Sequence, residues 1–189
     1  MPVLQILLVA IAIGLAPAAA QAGGQSIAGL ARTCAGCHGP AGASPGRTIP
    51  TIAGLGKQHL ADAMALYKSG GRSFYVMQFI AKGLSADEIE GLAQHFATRP
   101  FVTTATPVDA KVAKIGEPIS ASCDVCHGIA GGGSKEAPRL AGQPAEYLEV
   151  ALQAYRSGAR STSQEMDREI RALSPEAIRA LSHFYAGRR

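Results

Sequence analysis

Two Cys-x-x-Cys-His segments head two stretches of this chain that read as copies of each other. They are Cys34-Ala-Gly-Cys37-His38 and Cys123-Asp-Val-Cys126-His127. Each is followed by glycine (Gly39, Gly128), then by a proline (Pro50, Pro138) and by Ile52-Ala-Gly or Leu140-Ala-Gly. Tyr67-Lys-Ser-Gly matches Tyr155-Arg-Ser-Gly, Arg72 matches Arg160, and Met77 matches Met166. In both copies the methionine lies 39 positions after the histidine, and Leu84 or Leu173 lies 46 positions after it. Conserved spacing across so many anchors is the mark of an internal duplication. Each copy is only about 80 residues long, a size at which a domain usually needs a metal, a cofactor or disulfides to complete its core.

The cysteines say which of these it is. A secreted chain with four cysteines would ordinarily pair them as disulfides, but a histidine directly after each pair is the signature of c-type haem attachment. Two intervening residues let one helical turn present both thiols to one edge of a porphyrin, and the adjacent histidine then supplies the proximal iron ligand. A redox-active dithiol would need a βαβ pattern, which the sequence lacks. A zinc site built from Cys34, Cys37, Cys123 and Cys126 would leave the repeated histidine and methionine without a purpose. The reading is therefore two covalently bound haems c, held through Cys34, Cys37, Cys123 and Cys126, with no disulfide.

His38 and His127 are the expected proximal ligands. Met77 and Met166 are the expected sixth ligands, because they alone among the methionines occupy equivalent positions. Met64 has no counterpart and reads as core packing; His59, His95 and His183 are rivals for the sixth position. A thioether ligand favours ferrous iron, raises the potential and fills the coordination site. That suits electron transfer and argues against a haem peroxidase, which needs an open iron. Arg72 and Arg160 are candidates to hold haem propionates.

The remainder of the chain fits an exported, helical protein. Residues 1–23 read as an export signal: an apolar run from Val3 to Ala20, then small residues suited to cleavage before Gly24, although the positive n-region is weak. An uncleaved anchor is the competing reading; after removal of the signal no membrane span is expected. Residues 24–100 form the first domain, 101–110 a linker rich in threonine and proline, and 111–189 the second domain. Helices are expected over Ser26 to Ala35, Gln58 to Lys68, Ala86 to Thr98, Ala145 to Arg156 and from Pro175 to the end. Ser85 to Glu88 forms a capping box for the third of these, and Ser174 caps the last. Pro118 is expected to make the helix leading into the second motif start late. The formal charge of +4 is scattered among acids, without the basic stripe and aromatics of a nucleic-acid surface.

These residues also carry a family likeness. Cys34 to Gly39, Cys123 to Gly128, Pro138-Arg-Leu-Ala-Gly-Gln143, Tyr155 to Arg160, Met77 and Met166 resemble two-haem cytochromes c of the cytochrome c4 type. Ser69 to Met77 and Ile80 to Ser85 look more like the cytochrome subunit of flavocytochrome c sulfide dehydrogenase. The resemblance implies an all-α fold of two tandem class I cytochrome c domains related by a pseudo-twofold axis. It also implies that the carbonyls of Pro50 and Pro138 orient the ligating histidines. The implied function is periplasmic electron transfer without catalysis by this chain itself. The expected donor is a sulfide-oxidising flavoprotein that docks near Phe74, Tyr75 and Val76, and the expected acceptor is a soluble or membrane carrier. A free-standing cytochrome c4 relay to a terminal oxidase is the other role the family allows.

Overall fold

The computed structural model describes residues 25–103, 106–135 and 137–189; the expected export signal lies outside them. The described chain is helical, with no strand beyond one isolated bridge. The first half holds α1 (Ile27–His38), α2 (Lys57–Ser69), α3 (Tyr75–Lys82) and α4 (Ala86–Ala97). The second holds α5 (Ala110–Gly116), α6 (Ser120–His127), α7 (Ala145–Ser157), α8 (Gln164–Arg171) and α9 (Pro175–Ala186). No helix among the described residues is long and apolar enough to cross a membrane.

Local signals account for the helix ends. Ser26 accepts from Gly29 N and so caps α1, which runs on through the whole Cys-x-x-Cys-His segment. The expected box at α4 is present, with Ser85 and Glu88 each bonding the other's backbone N–H. Ser174 accepts from Ala177 N ahead of Pro175. Helices α3 and α8 were not expected from the sequence. Both are eight residues long, too short for a strong periodic signal.

Pro118 acts differently from the expectation. The chain before it is already helical, and the proline divides α5 from α6 rather than delaying a single helix. Its missing N–H and its restriction of the preceding residue fit a break at that point. The piece before the break, α5, packs on α9. Gly116 makes that crossing close, because a Cβ there would meet Ala180 O and Phe184 Cβ.

Each half has its own core. In the first, Ala31, Leu92 and Phe96 are buried against Ile27, Leu30, Ile52, Leu60 and Leu84. In the second, Leu148, Leu181, Phe184 and Tyr185 are buried against Ile119, Leu140, Leu152 and Leu173. The stripes expected on the closing helices, Ile89–Leu92–Phe96 and Ile178–Leu181–Tyr185, face inward.

The halves meet through polar contacts. Gln143, only 2% exposed, reaches from the second half to Thr51 of the first. Its Oε1 accepts from Thr51 N at 3.0 Å and its Nε2 donates to Thr51 O at 2.7 Å. Tyr147 N donates to Arg47 O at 3.2 Å, and the Arg47 guanidinium pairs with Glu146. Arg72 and Arg160 join their backbones in the antiparallel bridge.

Removing the Gln143 amide would strand two backbone groups of Thr51, at roughly 1–3 kcal/mol for each group left buried and unpaired. Gln143→Leu is expected to split thermal unfolding into two calorimetric transitions, one for each core. A single transition at the wild-type temperature would contradict the role assigned to this contact.

Candidate functional site

The two Cys-x-x-Cys-His segments close α1 and α6. The helical rise puts Cys34 and Cys37 on one side of a turn, and Cys123 and Cys126 likewise. In each pair the first cysteine is half-buried and the second exposed. Burial pushes the Cys34 and Cys123 thiols above their ordinary pKa.

His38 and His127 end their helices and are buried. His38 Nδ1 lies 2.9 Å from Pro50 O, and His127 Nδ1 lies 2.7 Å from Pro138 O. A carbonyl oxygen only accepts, so Nδ1 carries the hydrogen in both rings, and Nε2 keeps a lone pair. Burial lowers both imidazole pKa values; the proline carbonyls oppose this without reversing it. The rings are therefore neutral near pH 7, the form that ligates a metal.

The loops that bring the prolines back are built alike. Gly39 and Gly128 leave their helices at φ 76° and 75°. A Cβ at Gly39 would run into Ala43 O and approach Pro45 Cδ to 2.8 Å; one at Gly128 would come within 2.7 Å of Gly133 O. Glycine after the histidine is thus a steric requirement in both copies. Ala41 and Ala130, each three residues past a histidine, share the strained φ of 54° and 53°.

The second site has a support that the first lacks. Tyr185 donates to Asp124 Oδ1 at 2.9 Å and Ser120 O at 3.3 Å, while Asp124 Oδ2 accepts from Ala130 N at 3.1 Å. The corresponding positions in the first half are Phe96 and Ala35. Reading Tyr185 only as part of an apolar stripe missed its hydroxyl; the acid at position 124 inside the motif was the available clue.

Met77 and Met166 take the same place, the third residue of α3 and of α8, and both are half-buried. Ser163 accepts from Met166 N at 3.2 Å. Met64 is half-buried on α2. The three other histidines have their own surroundings. His95 Nε2 lies 3.3 Å from Arg99, and His183 Nδ1 accepts from Asp109 N at 3.1 Å. His59 lies near Arg72 and Arg160 at the junction of the halves.

No cluster of three or more His, Cys, Asp or Glu able to hold a bare metal ion occurs among the described residues, which sets aside zinc shared by the four cysteines. Two thiols one turn apart, a neutral imidazole fixed at Nδ1 and a thioether in each half do fit a covalently attached haem.

Comparison with known proteins finds c-type cytochromes. A cytochrome c family profile matches residues 113–184. The chain is 33% identical over 198 residues to cytochrome c4 of Azotobacter vinelandii, covering 92% of each protein. It is 34% identical over 143 residues to a thiosulfate dehydrogenase electron acceptor of Thiomonas intermedia (strain K12), covering 69% of this chain and 66% of that one. The cytochrome subunit of sulfide dehydrogenase from Chlorobaculum tepidum is 39% identical over 67 residues, 35% of this chain and 60% of the relative. Reduced recombinant cytochrome c4 from Pseudomonas stutzeri superposes with a TM-score of 0.79 at 27% identity, covering 86% of this chain and 97% of that one. The thiosulfate dehydrogenase TsdBA of Marichromatium purpuratum gives 0.77 at 28% identity; 82% of this chain is covered, but only 36% of that protein.

The setting of His59 gives a pH signature. Burial first, then the positive charges of Arg160 and Arg72 and the neighbouring His127, lower its pKa to about 4. The unfolded chain binds the proton near 6.5, so this stability is fully present above pH 6.5 and is lost as pH falls towards 4. A shift of that size is worth about 3 kcal/mol at most. Melting temperatures of wild type and His59→Gln, measured between pH 7 and pH 4, are expected to diverge, with wild type falling more steeply. Parallel curves would contradict the depressed pKa.

Proposed function

The chain belongs to the cytochrome c4 family of c-type cytochromes with covalently attached haem, and on that premise we propose that it is a periplasmic two-haem relay receiving electrons from a sulfur-oxidising dehydrogenase. The observation that carries the reading is the duplicated donor set: each half pairs a proline-anchored neutral imidazole with a methionine 39 positions on. Cys34 and Cys37 hold one haem and Cys123 and Cys126 the other. His38 with Met77, and His127 with Met166, are the axial ligands. A haem bound in this way exchanges one electron at its iron, so two sites match a donor that releases electrons in pairs. The prolines hold each imidazole in one tautomer, and the thioethers deny small molecules the sixth position. Residues 1–23 serve as the export signal that takes the chain out of the cytoplasm.

The first half supplies the entry face. On α3, residues two positions either side of Met77 lie about 160° round the helix from it. Tyr75 and Phe79 therefore share the face opposite the ligand, with Lys82 beside them. They are 82% and 73% exposed. Phe74, Val76 and Ile80 are exposed beside them, so all three residues first expected to dock a partner are open to one. The positions matching Tyr75, Phe79 and Lys82 on α8 are Gln164, Arg168 and Arg171. No Asp or Glu occurs from residue 63 to 86, while the exposed Lys68 and Lys82 do. An apolar centre with a cationic rim suits a donor whose docking face is apolar with an acidic rim.

Two donors fit this class. The first-half likeness favours a sulfide-oxidising flavoprotein. The longer match to a thiosulfate dehydrogenase electron acceptor favours thiosulfate dehydrogenase. Stopped-flow reduction of the holoprotein by each enzyme with its substrate decides between them, and Tyr75→Ser/Phe79→Ser is expected to slow the productive pair at least tenfold with haem content unchanged. Reduction by neither enzyme, together with fast oxidation of the chemically reduced protein by membranes, would overturn the proposal in favour of a relay to a terminal oxidase. Met77→Ala and Met166→Ala are each expected to open one iron to carbon monoxide, and Met64→Ala neither. Carbon monoxide binding by the Met64 variant alone would refute the ligand assignment.

A further inference from the structure

The start of the segment expected to be a linker is seated against both halves. Phe101 and Thr103 are half-buried, while Val102 between them is 46% exposed, the alternation of an extended stretch of chain. It rests on Gly54 and Gly142, the equivalent glycines of the Ile52-Ala-Gly and Leu140-Ala-Gly turns, which stand at φ 69° and 75°. A Cβ at Gly54 would come within 2.8 Å of Phe101 N and 2.9 Å of Phe101 Cβ. One at Gly142 would come within 2.6 Å of Thr103 Oγ1 and 3.1 Å of Phe101 Cε1. The backbone of Phe101 thus lies on the first half and the edge of its ring on the second. The Arg139 guanidinium, whose Nε donates to Ala141 O at 2.9 Å, covers the ring face at 4.6 Å.

Both turns belong to the loops that set the proximal histidines. Gly54 lies four residues past Pro50, whose carbonyl holds His38, and Gly142 four residues past Pro138, whose carbonyl holds His127. Arg139 directly follows Pro138. One phenylalanine therefore spans the two loops on which both imidazoles depend. The contacts already described between the halves are polar, and domains joined in that way shift against each other by default. An aromatic ring capped by a guanidinium adds an apolar, directional contact that polar pairs do not supply.

We propose that Phe101, braced by Arg139, is a positioning residue for electron transfer between the halves: it fixes how far apart the two proximal histidines stand, and so how fast an electron crosses. The proposal rests on the two-haem relay reading and adds to it. In the step concerned one electron leaves one iron, which is oxidised, and reaches the other, which is reduced; no proton moves and no bond is made or broken. Transfer through protein weakens steeply with the gap, so a small displacement of one half registers in the rate even where each half is internally unchanged.

The test is flash photoreduction of full-length oxidised holoprotein with less than one electron per chain. The redistribution of that electron between the two haems is followed spectroscopically; haem content is counted by mass and both midpoint potentials are titrated separately. Phe101→Ser is expected to slow redistribution about tenfold, with two haems present and both potentials unchanged. Phe101→Tyr, which keeps the ring, should hold the wild-type rate. Arg139→Lys, which keeps the charge but loses the flat face over the ring, should fall between them. A lower melting temperature with a wild-type rate in Phe101→Ser would reduce the residue to packing and overturn the proposal. Slowing accounted for by a changed difference between the two potentials would overturn it as well, and so would a Phe101→Tyr variant as slow as Phe101→Ser. If Phe101→Ser does not fold, Phe101→Leu, which keeps apolar volume but loses the ring, must still slow the transfer; a wild-type rate there would contradict the assignment. Wild type that carries two haems yet passes no electron between them would refute the relay reading itself, a result distinct from all of these because it appears before any substitution.

Discussion

The hydrogen bond from each buried imidazole to a proline carbonyl ties together everything else in its half. It links the last residue of a helix to a loop 11 or 12 positions downstream. That closure demands the sharp glycine exit after the histidine and the strained alanine three residues on, and it fixes which ring nitrogen is free. The bond is partly buried, and breaking it would leave a polar group without its partner as well as an imidazole unoriented. In the first half the same loop continues directly into Thr51, whose backbone is held by Gln143 of the second half. The setting of one histidine is thus joined, residue by residue, to the contact between the halves.

Duplication has not left two equal units. The second motif is buttressed by Tyr185 and Asp124, while the first has Phe96 and Ala35 at those positions. The first methionine helix presents Tyr75 and Phe79 to solvent; the second presents Gln164 and Arg168. At the junction, His59 of the first half corresponds to Tyr147 of the second. A chain that only stored electrons would have little use for such differences. A chain that receives electrons at one end and releases them at the other needs two faces that select different partners.

Much of this was legible in the sequence because it depends on residues close together in the chain. The helix caps at Ser85 and Ser174, the apolar stripes of α4 and α9 and the two motifs all fall within a few turns of one another. The contacts between halves were not legible: Gln143 and Thr51 are 92 positions apart, and Arg47 and Glu146 are 99. Nothing local marks Gln143 as different from Leu55, its counterpart. His59 read as a possible iron ligand because its type, and not its two arginine neighbours, was visible. The proline at 118 was seen, but the helix before it was not, since that segment gains its stability from packing on α9 through Gly116.

The central claim is covalent attachment of one haem in each half. Mass spectrometry of the exported protein in denaturant, followed by peptide mapping, tests it most directly. The account predicts two added haem masses, one on the peptide with Cys34 and Cys37 and one on the peptide with Cys123 and Cys126, and no free thiol. A single haem, or haem that separates from the polypeptide on acid extraction, would contradict it.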